Sequence, residues 1–285
     1  MAEKKIKVTL IGDENTGKSN LIQSYCMLQQ SFIGMPSEPD TILDCYSVKL
    51  TMTAKAQTPM NVEYCDASGS SKFDRLRKGM TYPTTDLFLL CFSTTSRSSF
   101  QSITSKWMPE IASYASTPVI LIGTKVDLRS NGNIINNENN EVSKEEGEQL
   151  AMSINALQYI ECSAITQIGV KTVFDSALEG VIYTRKDLKK KGILSKLILH
   201  KKRKVRFSYP ADSHHETHLG WDVERGFNVF GVPIDWTQML GVPSLTNHSN
   251  NGAGNAHPLV KNNNNNNNNN EFSICDENVP AGITN

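Results

Sequence analysis

The sequence predicts an α/β fold: a mostly parallel central sheet with helices on both faces, followed by a largely unstructured C-terminal tail. Three observations carry that expectation. Short runs rich in Val, Ile, Leu and Phe alternate with helix-like stretches up to about residue 185, the pattern of strands covered on both faces. The alternation then stops, and the charge changes with it. The formal net charge of zero hides three unlike blocks. Residues 1–185 carry 17 Lys and Arg against 20 Asp and Glu, residues 186–206 carry 10 against 1, and residues 207–285 carry 2 against 8. Third, 38% hydrophobic and 20% charged residues supply a core for one domain of roughly 180 residues plus an appendage. No apolar run approaches the ~20 residues that span a bilayer.

In chain order, strands are expected at 6–11, 48–52, 62–65, 87–92 and 119–122. Helices are expected near 18–28, 98–115, 143–154 and 170–185. The six cysteines (26, 45, 65, 91, 162, 275) include no Cys-x-x-Cys pair and no metal-ligand spacing. Cys45, Cys65, Cys91 and Cys162 lie in or beside apolar runs and are expected as buried free thiols of a reducing compartment. The N-terminus enters its first strand without a signal-peptide core, so a cytoplasmic location is expected. Nine consecutive asparagines at 262–270 cannot bury apolar surface and are expected to be disordered.

Between the first strand and the first helix lies Gly12-Asp13-Glu14-Asn15-Thr16-Gly17-Lys18-Ser19, a G-x-x-x-x-G-K-S loop, with Asn20 following. Its glycines let backbone amides wrap phosphates at a helix N-terminus. Lys18 would neutralise the β- and γ-phosphates, and the Ser19 hydroxyl would bind Mg²⁺. Asp66-Ala67-Ser68-Gly69 fits D-x-x-G, with Asp66 on the water shell of the Mg²⁺ and the Gly69 amide on the γ-phosphate. Thr124-Lys125-Val126-Asp127, after an apolar strand, suits base reading, because a carboxylate there accepts both hydrogens from guanine N1 and its exocyclic amine. Cys162-Ser163-Ala164 would offer a backbone amide to the guanine oxygen. Each motif alone could be an ordinary loop; four in this order could not.

With Asp74-Arg75-Leu76-Arg77, Tyr82-Pro83-Thr84-Thr85-Asp86, Cys91-Phe92-Ser93, Lys106-Trp107-Met108-Pro109-Glu110, the Leu128-Arg129 that follows Asp127, and Glu161-Cys162-Ser163-Ala164, residues 1–185 resemble a Rho-family small GTPase. The resemblance implies the P-loop small-GTPase fold and a GTP/GDP switch, with Mg²⁺, whose two switch loops close on the γ-phosphate. It places Thr41 on the metal, Phe32 on the guanine, and Ile42, Leu43, Asp44 and Tyr46 in the effector loop. It implies Rho effectors and exchange factors as partners, and control of actin organisation. The segment 129–160 is about ten residues longer than in Ras-like chains, where the Rho insert belongs, but its Asn-rich sequence is a poor helix former.

Departures from the family bear on chemistry. Glu14 stands where the family carries glycine, crowding the attacking water and an arginine finger. Ser70 replaces the glutamine that orients that water. Weak hydrolysis and a poor response to an activating protein follow; a compensating residue from elsewhere is the alternative. Asp40 and Leu43 replace the usual Pro and Phe, which leaves effector choice open. The chain ends Ala281-Gly282-Ile283-Thr284-Asn285, so prenylation through a C-terminal box is not expected.

The basic block 186–206 could bind anionic lipid, at ~1 kcal/mol per charge near the surface. Ile193, Leu194, Leu197 and Ile198 would then lie on one side of a short helix. A nuclear-localisation or nucleic-acid patch and a solvated tail are its rivals, with nucleic acid the less expected partner. Residues 207–245 then resemble a CRIB-type GTPase-binding segment through Ser208, Pro210, His215, His218, Gly220, Asp222, Gly226, Phe230, Gly231, Pro233 and Trp236. Ser213, Arg225 and one extra residue between Gly226 and Gly231 depart from the pattern. Such segments add a strand to the sheet edge of a GTP-loaded Rho protein. In the family the histidines lie near an effector-loop aspartate, and Asp44 occupies that place. The partner is this chain's own switch or another GTP-loaded Rho protein. The expected organisation is a GTPase domain (1–185), a basic linker (186–206), a CRIB-like segment (207–245) and an Asn-rich tail (246–285).

Overall fold

The computed structural model describes residues 5–26, 41–53, 57–114, 117–129, 140–189, 206–210, 212–222 and 226–232. Strands β1 (Ile6–Ile11), β3 (Gln57–Ala67), β4 (Leu87–Ser93), β5 (Val119–Thr124) and β6 (Tyr159–Glu161) pair in parallel. β2 (Thr41–Thr53) runs antiparallel to β3, in register from Leu43 opposite Ala67 to Thr53 opposite Gln57. β7 (Asp212–Asp222) and β8 (Gly226–Phe230) extend the sheet beyond β2, giving the order β6-β5-β4-β1-β3-β2-β7-β8.

The sheet is covered on both faces because its strands are apolar on both. All seven residues of β4 are buried. Leu87, Leu89 and Cys91 face one core, with Leu21, Ile22 and Tyr25 of α1 (Lys18–Cys26) and Phe174, Ala177 and Leu178 of α6 (Val170–Lys189). Phe88, Leu90 and Phe92 face the other. That side is closed by α2 (Asp74–Met80), by α5 (Lys144–Ser153), and by α3 (Arg97–Ser102), which passes through a π turn (Ile103–Trp107) into α4 (Met108–Ile111). The helix starts follow side-chain chemistry: Ser96 accepts from Ser99 N–H, and Ser143 with Glu146 forms a capping box. Among the described residues no helix is long and apolar enough to cross a membrane.

The structure corrects the sequence reading in several places. β2 and β3 are far longer than the apolar runs 48–52 and 62–65, because backbone pairing does not depend on side-chain polarity and the ladder runs on through polar residues. α2 is an addition; its sequence Asp-Arg-Leu-Arg-Lys-Gly-Met shows too little apolar periodicity to declare a helix. Cys45 and Cys65 are not free thiols: directly opposed across β2 and β3, they form a disulfide. Cys91 and Cys162 are buried free thiols as expected, and Cys26 is free and half-buried. α6 runs to Lys189, past the boundary placed at 185. The tail is not unstructured over Asp212–Asp222 and Gly226–Phe230, where it supplies β7 and β8. The insert residues 130–139, the Asn tract and the amphipathic stretch 193–198 lie outside the described residues.

The tail strands bring their own apolar anchors. Leu219 and Val229 join the core on the α3 side, and Phe207 joins the core on the α1 side. Burial of such side chains is worth roughly 2 kcal/mol each.

Candidate functional site

The loop between β1 and α1 turns back on itself through Gly12 (φ 145°), Asn15 (φ 59°) and Gly17 (φ 88°). Lys18 is buried, and its Nζ donates to the carbonyls of Gly12 and Asp13 at 2.9 and 2.8 Å, spanning the loop from inside. Burial draws this lysine below its usual range, with Asp66 and Asp13 opposing that pull. Thr16 Oγ1 donates to Asp13 O at 2.9 Å. Glu14 and Ser19 are exposed, Asn20 half-buried.

Ser19 Oγ donates to Asp66 Oδ2. Asp66, at the end of β3, is buried, and that burial pushes its carboxyl up to about 6 against the opposing pull of Lys18 and Ser19. A buried carboxylate so little compensated, beside a hydroxyl at a helix start, is a hard-oxygen donor set that fits Mg²⁺. Gly69 packs so closely on the loop that a Cβ would lie 2.4 Å from Glu14 N and 2.6 Å from Gly12 O. The D-x-x-G glycine therefore meets the phosphate loop backbone to backbone. Ser70 follows it; its carbonyl accepts from Arg77 Nη1 at 3.2 Å.

A second cleft, of about 230 Å³, is lined by Gly17, Asn20, Thr124, Lys125, Asp127, Leu128 and Ala164, among others. Lys125 is left-handed (φ 58°), which turns the chain so that Asp127 follows in a short 3₁₀ turn. Ser163 is buried and accepts from Thr166 N–H at 3.0 Å, which shapes the loop that presents Ala164. Arg129 holds this end together by a bidentate pair to Glu161 at 2.8 and 2.7 Å.

The third cluster lies on the outer edge of β2. β7 pairs antiparallel to it, with Asp44 opposite His218 and Tyr46 opposite His215. Residues three apart on a regular strand face opposite sides. Here a bulge at Glu216, between the pairs Cys45–Thr217 and Tyr46–His215, returns both histidines to one side. His215 Nε2 and His218 Nδ1 both donate to Asp44 Oδ1, at 3.1 and 2.6 Å. Burial alone would raise the Asp44 carboxyl, but the two imidazoles outweigh it and hold the group below its ordinary value. His215 also stacks on Tyr46, with centroids 4.7 Å apart. Upstream, Ser208 N–H donates to Thr51 O at 2.9 Å, and Thr51 N–H donates to Ser208 Oγ at 3.0 Å. Pro210 is half-buried. Gly220 pairs opposite Thr41 and Asn228, and Asp222 opposite Gly226. Ile42 and Leu43 are buried. Gly231 has φ 63°, and a Cβ there would meet Glu216 O at 1.8 Å. Thr41 opens β2 and Phe230 closes β8. Phe32, Pro233 and Trp236 lie outside the described residues.

In the sequence, Arg77, Lys106, Trp107 and Glu110 belong to the motifs that carry the resemblance, with no role implied for them. They form a brace between the loops. Trp107 Nε1 donates to Asp13 Oδ1 at 2.8 Å, and Lys106 Nζ donates to Gly69 O at 3.0 Å. Arg77, buried, reaches the carbonyls of Ser68 and Ser70, pairs with Glu110 and lies over Trp107 at 4.8 Å.

A phosphate-type loop, a metal-type carboxylate and a base-type cleft thus share one end of the sheet. The family model that matches this chain is that of the Ras family, over residues 7–183. The chain belongs to the Ras family. Among curated proteins of this family it is similar to the Rho-related GTP-binding protein RhoV of Rattus norvegicus, 42% identical over 193 residues that cover 65% of this chain and 78% of the relative. The RhoV proteins of Mus musculus and Homo sapiens are each 41% identical over the same extent. The Ras-family match stops at residue 183, so β7 and β8 lie beyond it.

Proposed function

We propose that this Ras-family chain is a Rho-type guanine-nucleotide switch that hydrolyses GTP slowly and whose CRIB-type segment lies on its own effector edge. Backbone amides of Gly12–Asn20 and Lys18 would hold the phosphates. Ser19, Thr41 and Asp66 would hold Mg²⁺, with Asp66 acting through water, and Thr124, Lys125, Asp127, Leu128, Ser163 and Ala164 would hold the guanine. When bound, Mg²⁺ draws charge from the phosphate oxygens. The chain's own part is position: Gly69 sets its amide against the loop, while Trp107 and Arg77 keep both loops from separating. Glu14 sits at the mouth of that junction and Ser70 just past it, which supports slow turnover. Those two residues equally support a second reading, a non-hydrolysing GTP-bound module or decoy that engages other Rho proteins in trans.

The observation that carries the reading is the convergence of His215 and His218 on Asp44 across a β2–β7 ladder. Strand addition to an exposed edge is how an extended segment gains backbone hydrogen bonds and specificity together. The test uses the full chain loaded with a non-hydrolysable GTP analogue and a synthetic 206–245 peptide. Wild type should bind added peptide at least tenfold more weakly than a His215→Ala/His218→Ala variant, whose edge is open. Equal binding by both would mean that the edge is already free, and the cis reading would fall. Effector proteins and anionic lipid at 186–206, on a cytoplasmic membrane surface, complete the proposal.

A further inference from the structure

We propose that Asp44, His215 and His218 form a Zn²⁺ site that staples the tail to the effector edge; this rests on the cis pairing just proposed. Three ligand-type atoms, Asp44 Oδ1, His215 Nε2 and His218 Nδ1, lie within 4.8 Å of one another. The two imidazole nitrogens already aim at one carboxylate oxygen, at 3.1 and 2.6 Å. Around a tetrahedral ion with bonds of about 2.0–2.2 Å, neighbouring ligands stand roughly 3.3 Å apart. Along their contacts with Asp44, the cluster needs to open by a few tenths of an ångström at His215 and by somewhat more at His218, with the two nitrogens within 4.8 Å of each other. Neutral imidazoles make this a change of tautomer: each nitrogen that now donates a hydrogen presents a lone pair instead, and the proton sits on the other ring nitrogen.

Two nitrogens and one carboxylate oxygen select against Mg²⁺, which prefers oxygen, and suit the borderline-soft Zn²⁺. The side chain of His215 is 40% exposed, so a fourth position is open to water, while those of Asp44 and His218 are only 13% and 10% exposed. The site is thus walled on the protein side and accessible at the rim. Its rings are fixed before any ion arrives. Tyr46 stacks on His215, and the bulge at Glu216 sets the side on which both histidines emerge.

The ligands come from segments 171 and 174 residues apart. A metal that binds only when β7 lies on β2 must stabilise that pairing, by mass action, over the undocked chain. Zinc would therefore act as a second input to the switch: it would close the effector edge, and because Asp44 pairs directly opposite Asp66 on β3, its charge would also reach the proposed Mg²⁺ carboxylate.

The experiment takes the full chain with nucleotide and excess Mg²⁺ and titrates it with Zn²⁺ by calorimetry. Co²⁺ is added in parallel as a spectroscopic probe of four-coordinate geometry, and amide exchange of β7 is followed with and without zinc. The variant is His215→Gln/His218→Asn, which keeps amide donors to Asp44 but removes both imidazole ligands. We expect one zinc per chain, visible Co²⁺ ligand-field bands, slower β7 exchange with zinc, and binding at least tenfold weaker in the variant. Equal zinc affinity in wild type and variant would place the ion elsewhere and overturn the site, as would no binding at all. If β7 is protected yet zinc has no effect, only the metal proposal fails. If β7 exchanges freely under every condition, the cis reading fails with it.

Discussion

Glu14 and Ser70 flank one backbone junction, because Gly69 packs directly on the loop from Gly12 to Glu14. Under the proposed function, a carboxylate on one side of that junction would crowd the attacking water, and a short hydroxyl on the other would not orient it. Loss of a single well-placed group in such sites costs about 10²–10³ in rate. Single-turnover GTP hydrolysis should therefore be at least tenfold faster in a Glu14→Gly/Ser70→Gln variant than in the wild-type chain; a variant no faster than wild type would refute slow hydrolysis by these residues. Both departures are legible in the sequence, since each breaks a motif whose spacing is otherwise intact. Arg77 is not. One of two arginines in Asp-Arg-Leu-Arg-Lys reads as a solvated charge, and the burial of Arg77 is decided by Glu110 and Trp107, about thirty residues away. The paired cysteines fail to show for the same reason: 45 and 65 meet only once the β2–β3 register is known.

At the scale of elements, the convergence on Asp44 depends on one of the two irregularities in the β2–β7 ladder. The bulge at Glu216 turns both histidines to Asp44, and Gly231 is what leaves room for it, with its left-handed backbone and no side chain 1.8 Å from Glu216 O. Thr217 Oγ1 ties the same turn by donating to Gly231 O at 3.2 Å. Gly231→Ala adds both backbone strain and a clash, so it should release β7 from β2 while leaving in place β1, separated from β7 by β3 and β2, and the α1 packed on it. In amide exchange, β7 should lose protection by at least tenfold while β1 and α1 remain unchanged. Uniform loss across the chain would instead indicate general unfolding, and unchanged β7 would show that the bulge tolerates a methyl group. The order His-x-x-His with a downstream glycine was readable from the sequence, and so was its aspartate partner. The bulge itself was not, because it exists only relative to the register of the strand beside it.

At the scale of the whole molecule, the decisive quantity is the tether. The last described residue of α6 is Lys189 and the chain is next described at Arg206, leaving 16 residues between them. Extended, these reach about 53 Å, more than the roughly 40 Å diameter of a domain of about 185 residues. Under the cis reading, a connection of this length would impose proximity without dictating the pose, with an effective concentration of the segment at its own edge on the order of millimolar. This sets how the molecule must open. A free 206–245 peptide added to the intact GTP-analogue-loaded chain competes against that local concentration, so half-displacement requires peptide at about millimolar levels. With a protease site inserted in 190–205 and cut, the resident segment is diluted into solution, and the same displacement should occur at peptide concentrations lower by about a hundredfold or more. If cutting leaves the competition curve where it was, the segment is held by its contacts alone or is not held in cis. A large shift would mean that anything acting on the basic linker, an anionic surface included, controls the effector edge through chain geometry.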